Sequence, residues 1–389
     1  MKRSNKWKFG IIMFILLPLL FVRFTSDVPV FQFGTTVQSP EGELESILQK
    51  LFKQRTELLL AGELNLLEQF YAQDATTGQW ALESEQARIG YVREWAQRRS
   101  ISFLHSKCDL SVVNLEITGD EARASVCPHI LITYQHEGNK RLDLMGVRTI
   151  HWLELVKRNG QWLIQRDWFL DPFEGGRSIP AVLDEWLVAE MAEDAAIDDE
   201  PMGILATRDL VMAGSYNREA AVNYANKYSG VRLGPTTGRY NQVYRDYGLS
   251  GGDCANFASQ VLADEKAGSL PQDWIWFYEE GGGSQAWVQA EAFVQYFLGN
   301  GRAQLVLRGD YQEVTTVTPD FPLSAVRELQ PGDIIGYELE GQIAHVSVVV
   351  GENSAGYIVV NCHSADRFQV PWDLGYDQHT VFWLVHIRD

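Results

Sequence analysis

In the first half of the chain the hydrophobic pattern changes period once, near residue 100, and that change limits the possible folds of this half more than any other feature. Between residues 41 and 73, Leu44, Ile47, Leu48, Leu51, Phe52 and Leu58 to Leu60 recur at helical spacing, with Glu, Lys and Arg on the opposite face. A second helix is expected over 84–98. From Ile101 to Phe173 the pattern becomes that of strands. Ser111 to Ile117, Ala122 to Tyr134, Arg141 to Lys157 and Gln161 to Phe169 are apolar or alternating runs. Thr118-Gly119-Asp120, Glu137-Gly138-Asn139 and Arg158-Asn159-Gly160 separate them, and the Asn-Gly pair is a strong hairpin signal. Helices followed by an antiparallel sheet make an α+β arrangement.

The chain has 389 residues, so two domains are expected. Its N-terminus carries Lys2, Arg3, Lys6 and Lys8 ahead of an uncharged apolar run of 14 residues, Phe9 to Val22. Residues 1–26 therefore read as a signal peptide or signal anchor. No small-residue cleavage site follows, which favours retention. The lysines ahead of the run place the rest of the protein outside the cytoplasm, membrane-anchored or secreted. The net charge of −18 is an average over unlike parts. Residues 1–24 hold five basic groups and no acids, leaving 28 basic against 51 acidic groups, or −23. Such a body is a poor match for nucleic acid, which is bound through Lys and Arg clusters. Four cysteines are too few for a disulfide framework. Cys108 and Cys127 flank the Thr118–Asp120 turn, but a simple hairpin sets 108 opposite about 131, so their pairing needs another register.

Residues 41–173 resemble the NTF2-like cone fold, in which helices precede a curved sheet. His105, His129, His136 and His151 are scattered over these strands as core or surface residues and form no catalytic set. Residues 174–213 read as an acidic linker with one amphipathic stretch, Ala181 to Met191. A second domain spans 215–389.

The chemistry falls in that second domain. In SGGDCANFASQVLADE, Asp253 is a good N-cap and Ala255 to Ala263 a helical run. Cys254 then sits in the first helical turn, where free N–H groups and the helix dipole favour a thiolate, making it a candidate nucleophile. In LQPGDIIGYELEGQIAHVSVVVG, His345 begins a strand and shares a face with Ser347, while Val346, Val348 and Val350 take the other. A histidine there can reach a helix N-terminus, the arrangement a Cys–His pair needs. In YIVVNCHSAD, Asn361 and His363 share a face, and either can accept the second N–H of His345. Asn241, Tyr247 and Asn256 are candidates for a second oxyanion donor beside the Cys254 N–H, and Asn256 is equally a structural residue. Trp274, Trp276, Phe277, Tyr278, Trp287 and Phe293 form an aromatic stretch, read as core with Trp287 a candidate for the substrate cleft.

The segments YNREAAVNYANKYSG, GGDCANFASQVL, LQPGDIIGYELEGQIAHVSVVV and VNCHSADR together resemble the putative amidase domain of bacterial exported proteins, a papain-like cysteine hydrolase related in layout to NlpC/P60 enzymes. The resemblance covers 215–389, under half the chain. It implies Cys254 as nucleophile, His345 as general base and Asn361 or His363 as the orienting residue, Asn361 being favoured. Many members carry Thr or Ser where Ala255 stands. The implied function is an extracytoplasmic cysteine amidase or peptidase acting on peptide-type amides such as those of cell-wall peptides, with no cofactor. Transacylation would use the same residues. Two rival classes stand beside it. One is a membrane-tethered, non-catalytic binding or scaffold protein. The other is a zinc site of Cys254, His345, Cys362 and His363, disfavoured because Cys362 lies on the other strand face. Oligomeric state, scissile bond and the ligand of the N-terminal domain are not legible in the sequence.

Overall fold

The computed structural model describes residues 39–389 except 170, 172, 174–215, 234–239, 249–251 and 377–378. The expected signal segment, the acidic linker and the Ala181–Met191 stretch thus lie outside the described residues. Among those described, no helix is long and apolar enough to cross a membrane.

The first half opens with α1 (Pro40–Ala61), which starts with a proline and ends on Gly62 in the left-handed region. A 3₁₀ turn (Leu64–Phe70) leads into α2 (Thr76–Arg98), longer at its start than the expected 84–98. Five strands follow: β1 (Ile101–Thr118), β2 (Glu121–His136), β3 (Asp143–Arg148), β4 (His151–Arg158) and β5 (Gln161–Phe169). The run read as one strand over 141–157 is thus two, β3 and β4. Both helices bury one face on the sheet, and Leu48, Leu51, Ile89, Val92, Val126 and Ile164 belong to one core.

That core encloses a charged network. Arg55 binds Asp167 at 2.6 Å and Glu85 at 2.8 Å, and all three are buried. His151 binds Asp167 through Nδ1 at 2.8 Å and the Thr149 hydroxyl through Nε2 at 3.0 Å. Burial opposes the Asp167 charge, but His151 and Arg55 hold its carboxyl down at about 2. His129 and His136 are also buried and bonded, to the Arg232 N–H and the Asn353 amide, while His105 is exposed.

The second half contributes α3 (Arg218–Lys227), α4 (Cys254–Ala263), a two-strand ribbon β6 (Tyr278–Glu279) and β7 (Gly282–Gly283), α5 (Gln285–Val288), α6 (Ala290–Gly299), β8 (Ala303–Gly309), α7 (Tyr311–Thr315), β9 (Ile334–Leu339), β10 (Gln342–Glu352), β11 (Ile358–Cys362), β12 (Asp366–Pro371) and β13 (Val381–Ile387). Helices α4 and α6 pack on one face of its sheet with Val346, Val348 and Val350. Ile335, Tyr337, Val349 and Trp372 form the core on the other face.

The two halves share one antiparallel sheet of 11 strands, ordered β5-β4-β2-β3-β12-β11-β10-β9-β13-β8, with β1 also on β2. The seam is β3 on β12, with Arg148 opposite Asp366 and Phe368 opposite Gly146. Residues 39–389 form a single compact unit. Two glycines make the seam possible. A Cβ on Gly146 would lie 2.6 Å from Val231 Cγ1, and one on Gly230 would lie 2.0 Å from Asp366 Oδ2. Gly230 also has φ of 80°.

Cys108 and Cys127 are free. The β1–β2 hairpin closes on a two-residue turn, and one bulge between Val112 and Asn114 sets Cys108 opposite Ile130 and Cys127 opposite Ser111. The alternative register that their pairing requires is not adopted.

Arg55→Met should lower stability by about 3–5 kcal/mol, because it leaves Asp167 and Glu85 buried without their shared cation. Urea unfolding of the full chain checks this, and a loss below about 1 kcal/mol would contradict the buried network.

Candidate active site

Helix α4 begins at Cys254, as its sequence implies, but Asp253 does not cap it. Its side chain makes no capping hydrogen bond. The carboxylate turns away from the helix end. Oδ2 binds His363 Nδ1 at 2.6 Å, while Oδ1 accepts from the Tyr247 N–H and the Asn256 amide, both at 2.8 Å. His363 Nε2 donates to the Tyr228 carbonyl at 2.7 Å. Both ring nitrogens face acceptors, so both carry protons and the ring is an imidazolium. Burial pulls its pKa down, but the Asp253 hydrogen bond and charge, with Asp366 and the Tyr228 carbonyl, raise it above the ordinary value. The ring is sandwiched between Tyr240, stacked at 3.9 Å, and Phe257 at 4.1 Å. Tyr240 donates to Asp366 at 2.7 Å, and Asp366 accepts from Arg148 of β3 at 2.8 Å.

Cys254 lies beside the start of β10. Strand β11 ends at Cys362, so β10 loses that neighbour near Val346, and the Val346 N–H is directed at the Cys254 sulfur. This is the peptide that joins Val346 to His345. The thiol is 7% exposed. Burial pushes it up to about 11, although the N–H groups of Val346, Ala255 and Cys254 itself pull the other way. The helix start therefore does supply donors, but desolvation outweighs them and favours the thiol over the expected thiolate.

His345 is half-buried, its ring tilted against Tyr337 at a centroid distance of 5.6 Å. Among the described residues no hydrogen bond reaches its nitrogens. Burial, and then the Arg367 charge, bring its pKa down to about 3. Burial thus favours the neutral form of both the thiol and the imidazole.

The other expected residues lie elsewhere. Asn361 pairs with Val348, three residues beyond His345, and so faces the helix-covered side. Its amide donates to Asn226 at 2.9 Å, and its oxygen accepts from the Gln369 N–H at 2.7 Å. With His363 held by Asp253 and Tyr228, neither expected residue orients His345. Asn241 donates to the Tyr224 hydroxyl, and Asn256 takes the Trp287 indole N–H while donating to Asp253 and the Arg245 carbonyl. Trp287 is fully buried and belongs to the core, not to a cleft. The Tyr247 hydroxyl accepts from the Gly283 N–H at 2.9 Å and keeps its own proton available. The zinc set is not assembled. Both His363 nitrogens are occupied, and no cluster of three metal-ligating side chains occurs among the described residues.

Sequence reasoning missed three side chains on the other face of the sheet. Tyr337 stacks on Tyr376 at 3.9 Å, and Arg367 donates to the Leu374 carbonyl at 2.8 Å. Burial holds the Tyr376 hydroxyl protonated, and the thiols of Cys362 and Cys254 further oppose its ionisation. Only the apolar strand β9 hinted at Tyr337, and a lone tyrosine in a turn gave no signal for Tyr376.

Residues 215–385 match the model of a family described as "Putative amidase domain". The match supports a hydrolase, in general terms an amidase, for this half. The chain is 27% identical over 178 residues to the uncharacterized protein YhbB of Bacillus subtilis (strain 168), covering 44% of this chain and 48% of that protein. It thus spans about half the length of that curated relative. NTF2-like structures are among the structural neighbours. They include a putative dehydratase of the NTF2-like family from Streptomyces avermitilis, 13% identical, covering 33% of this chain and 94% of that one at a TM-score of 0.24. A putative scytalone dehydratase from Novosphingobium aromaticivorans is 15% identical, covering 37% and 95% at 0.25. The intermembrane space region of the chloroplast protein ARC6 is 13% identical, covering 33% and 95% at 0.24.

Alkylation of Cys254 by iodoacetamide, read by mass spectrometry of its peptide, should rise about tenfold per pH unit from neutrality and still be rising near pH 10, because only the thiolate reacts. A plateau by about pH 7 would mean a preformed thiolate.

Proposed function

We propose that this protein is an extracytoplasmic cysteine amidase or peptidase in which Cys254 is the nucleophile and His345 the general base. The observation that supports this reading is that Cys254 begins α4 next to the Val346 peptide of β10, and that among the described residues no hydrogen bond reaches the ring nitrogens of His345, the residue before Val346. As the sulfur attacks an amide carbonyl, His345 takes the thiol proton. The tetrahedral oxyanion meets the N–H groups at the start of α4, and Tyr247 is the remaining candidate for a second donor. His345 then protonates the leaving amine, which departs as the carbonyl re-forms. Water, deprotonated by His345, attacks the thioester and releases the acid and the free thiol.

The substrate class follows as peptide-type amides, with cell-wall peptides suggested by the N-terminal segment Phe9 to Val22 and the lysines before it, read as an export signal or anchor. The proposed mechanism is papain-like in the sense that a helix-borne cysteine works with a strand-borne histidine. Residues 41–173 act as a cone domain and 215–389 as the hydrolase, joined by the acidic segment 174–213.

Cys254→Ala should abolish hydrolysis of muropeptides or acyl amides, a loss of at least about a thousandfold in kcat, and His345→Ala should do nearly the same. Asn361→Ala should retain kcat within about threefold, since that amide serves Asn226 and Gln369. Turnover surviving in Cys254→Ala would relocate the nucleophile.

A further inference from the structure

We propose that the N-terminal half is a working part of the hydrolase site, gripping through Tyr91 and Trp95 of α2 and Arg99 just past its end the turn that backs His345. The inference rests on the role of His345 proposed above. The turn spans 372–376, directly after β12. Its Asp373 is buried and lies under α2. Arg99 donates to one carboxylate oxygen, the Trp95 indole donates to the same oxygen at 3.1 Å, and Tyr357 donates to the other at 2.8 Å. Two residues on, the Tyr91 hydroxyl donates to the Tyr376 carbonyl at 3.0 Å and accepts from the Gly375 N–H at 2.9 Å. Leu374, between them, is buried in the core of the N-terminal half together with Val370 of β12.

The far side of this turn faces the candidate site. Tyr376 lies flat on Tyr337, with rings 3.9 Å apart and 10° from parallel, and Tyr337 carries His345. A shift of the turn therefore moves the surface on which the general base rests. The hydroxyl of Tyr91 holds both the N–H of Gly375 and the carbonyl of Tyr376, so it fixes the turn's height and its rotation. In this account Tyr91 and Arg99 are positioning residues, which touch neither thiol nor substrate.

The test uses the full chain with Tyr91→Phe, which keeps the ring and removes only the two hydrogen bonds. Turnover of the muropeptide cleaved by the wild type should fall roughly tenfold in kcat with KM changed less than about twofold, because the loss lies in alignment and not in substrate binding. The loosened wall should also admit water to the thiol, so that alkylation of Cys254 at neutral pH speeds up roughly tenfold. Arg99→Met should act in the same direction. Arg98→Gln, an exposed residue of the same helix paired with Glu94, serves as the control and should match the wild type. Cooperative thermal unfolding of each variant confirms that it is folded. Wild-type kcat and wild-type alkylation rates in both Tyr91→Phe and Arg99→Met would overturn the proposal. The alkylation arm needs no substrate, so it decides the coupling even if Cys254→Ala keeps its turnover and the hydrolase reading fails.

Discussion

The site depends on the buried ion pair of Asp253 and His363. Neither residue is a candidate nucleophile or base. Between them they fix the start of α4, because Asp253 immediately precedes Cys254 and its carboxylate is tied to His363, Tyr247 and Asn256. A buried charge pair of this kind contributes little net stability, but losing one partner leaves the other uncompensated at a cost of about 3–5 kcal/mol. It therefore serves to specify one geometry. The flanking rings of Tyr240 and Phe257 exclude water from the pair, and its second carboxylate neighbour, Asp366, brings in Arg148 from the other half.

Two routes thus lead from the N-terminal half to the candidate site. One runs from Arg148 through Asp366, Tyr240 and His363 to the Cys254 helix. The other runs from Tyr91, Trp95 and Arg99 through the 372–376 turn to Tyr376, Tyr337 and His345. The first crosses the β3–β12 seam, where the backbone ladder is continuous, and the second passes beside it, where side chains from both halves fill one core. The buried network around Arg55 keeps α1, α2 and β5 in fixed relation, so the helix that grips the turn is itself anchored.

Much of this was legible in the sequence, and the failures have a common cause. Periodicity gave the helices, the strands and the turn at Gly119, and the Gly-Asp-Cys segment gave the start of α4. Side-chain parity along β10 correctly separated His345 and Ser347 from the three valines. Parity across strands did not carry over. The β10–β11 ladder has a bulge between Val349 and Gly351 and sets Asn361 opposite Val348, an odd displacement from His345 that moves Asn361 to the other face. Asp253 misled for a different reason. An aspartate before a helix usually caps it, but a buried histidine 110 residues away offers a stronger partner than one N–H. Long-range pairings of this kind leave no local pattern to read.

The central claim is that His363 is a structural cation and not a member of the catalytic set. Nitrogen-15 NMR of the histidine side chains in the full chain tests it most directly. With its folded pKa raised, His363 should show both Nδ1 and Nε2 mostly protonated at about pH 6.5, where an ordinary histidine is half neutral. Its contribution to stability should be complete below the unfolded value and disappear as pH rises through the folded one. A neutral His363 tautomer at that pH, with one nitrogen free to accept a proton, would contradict the account.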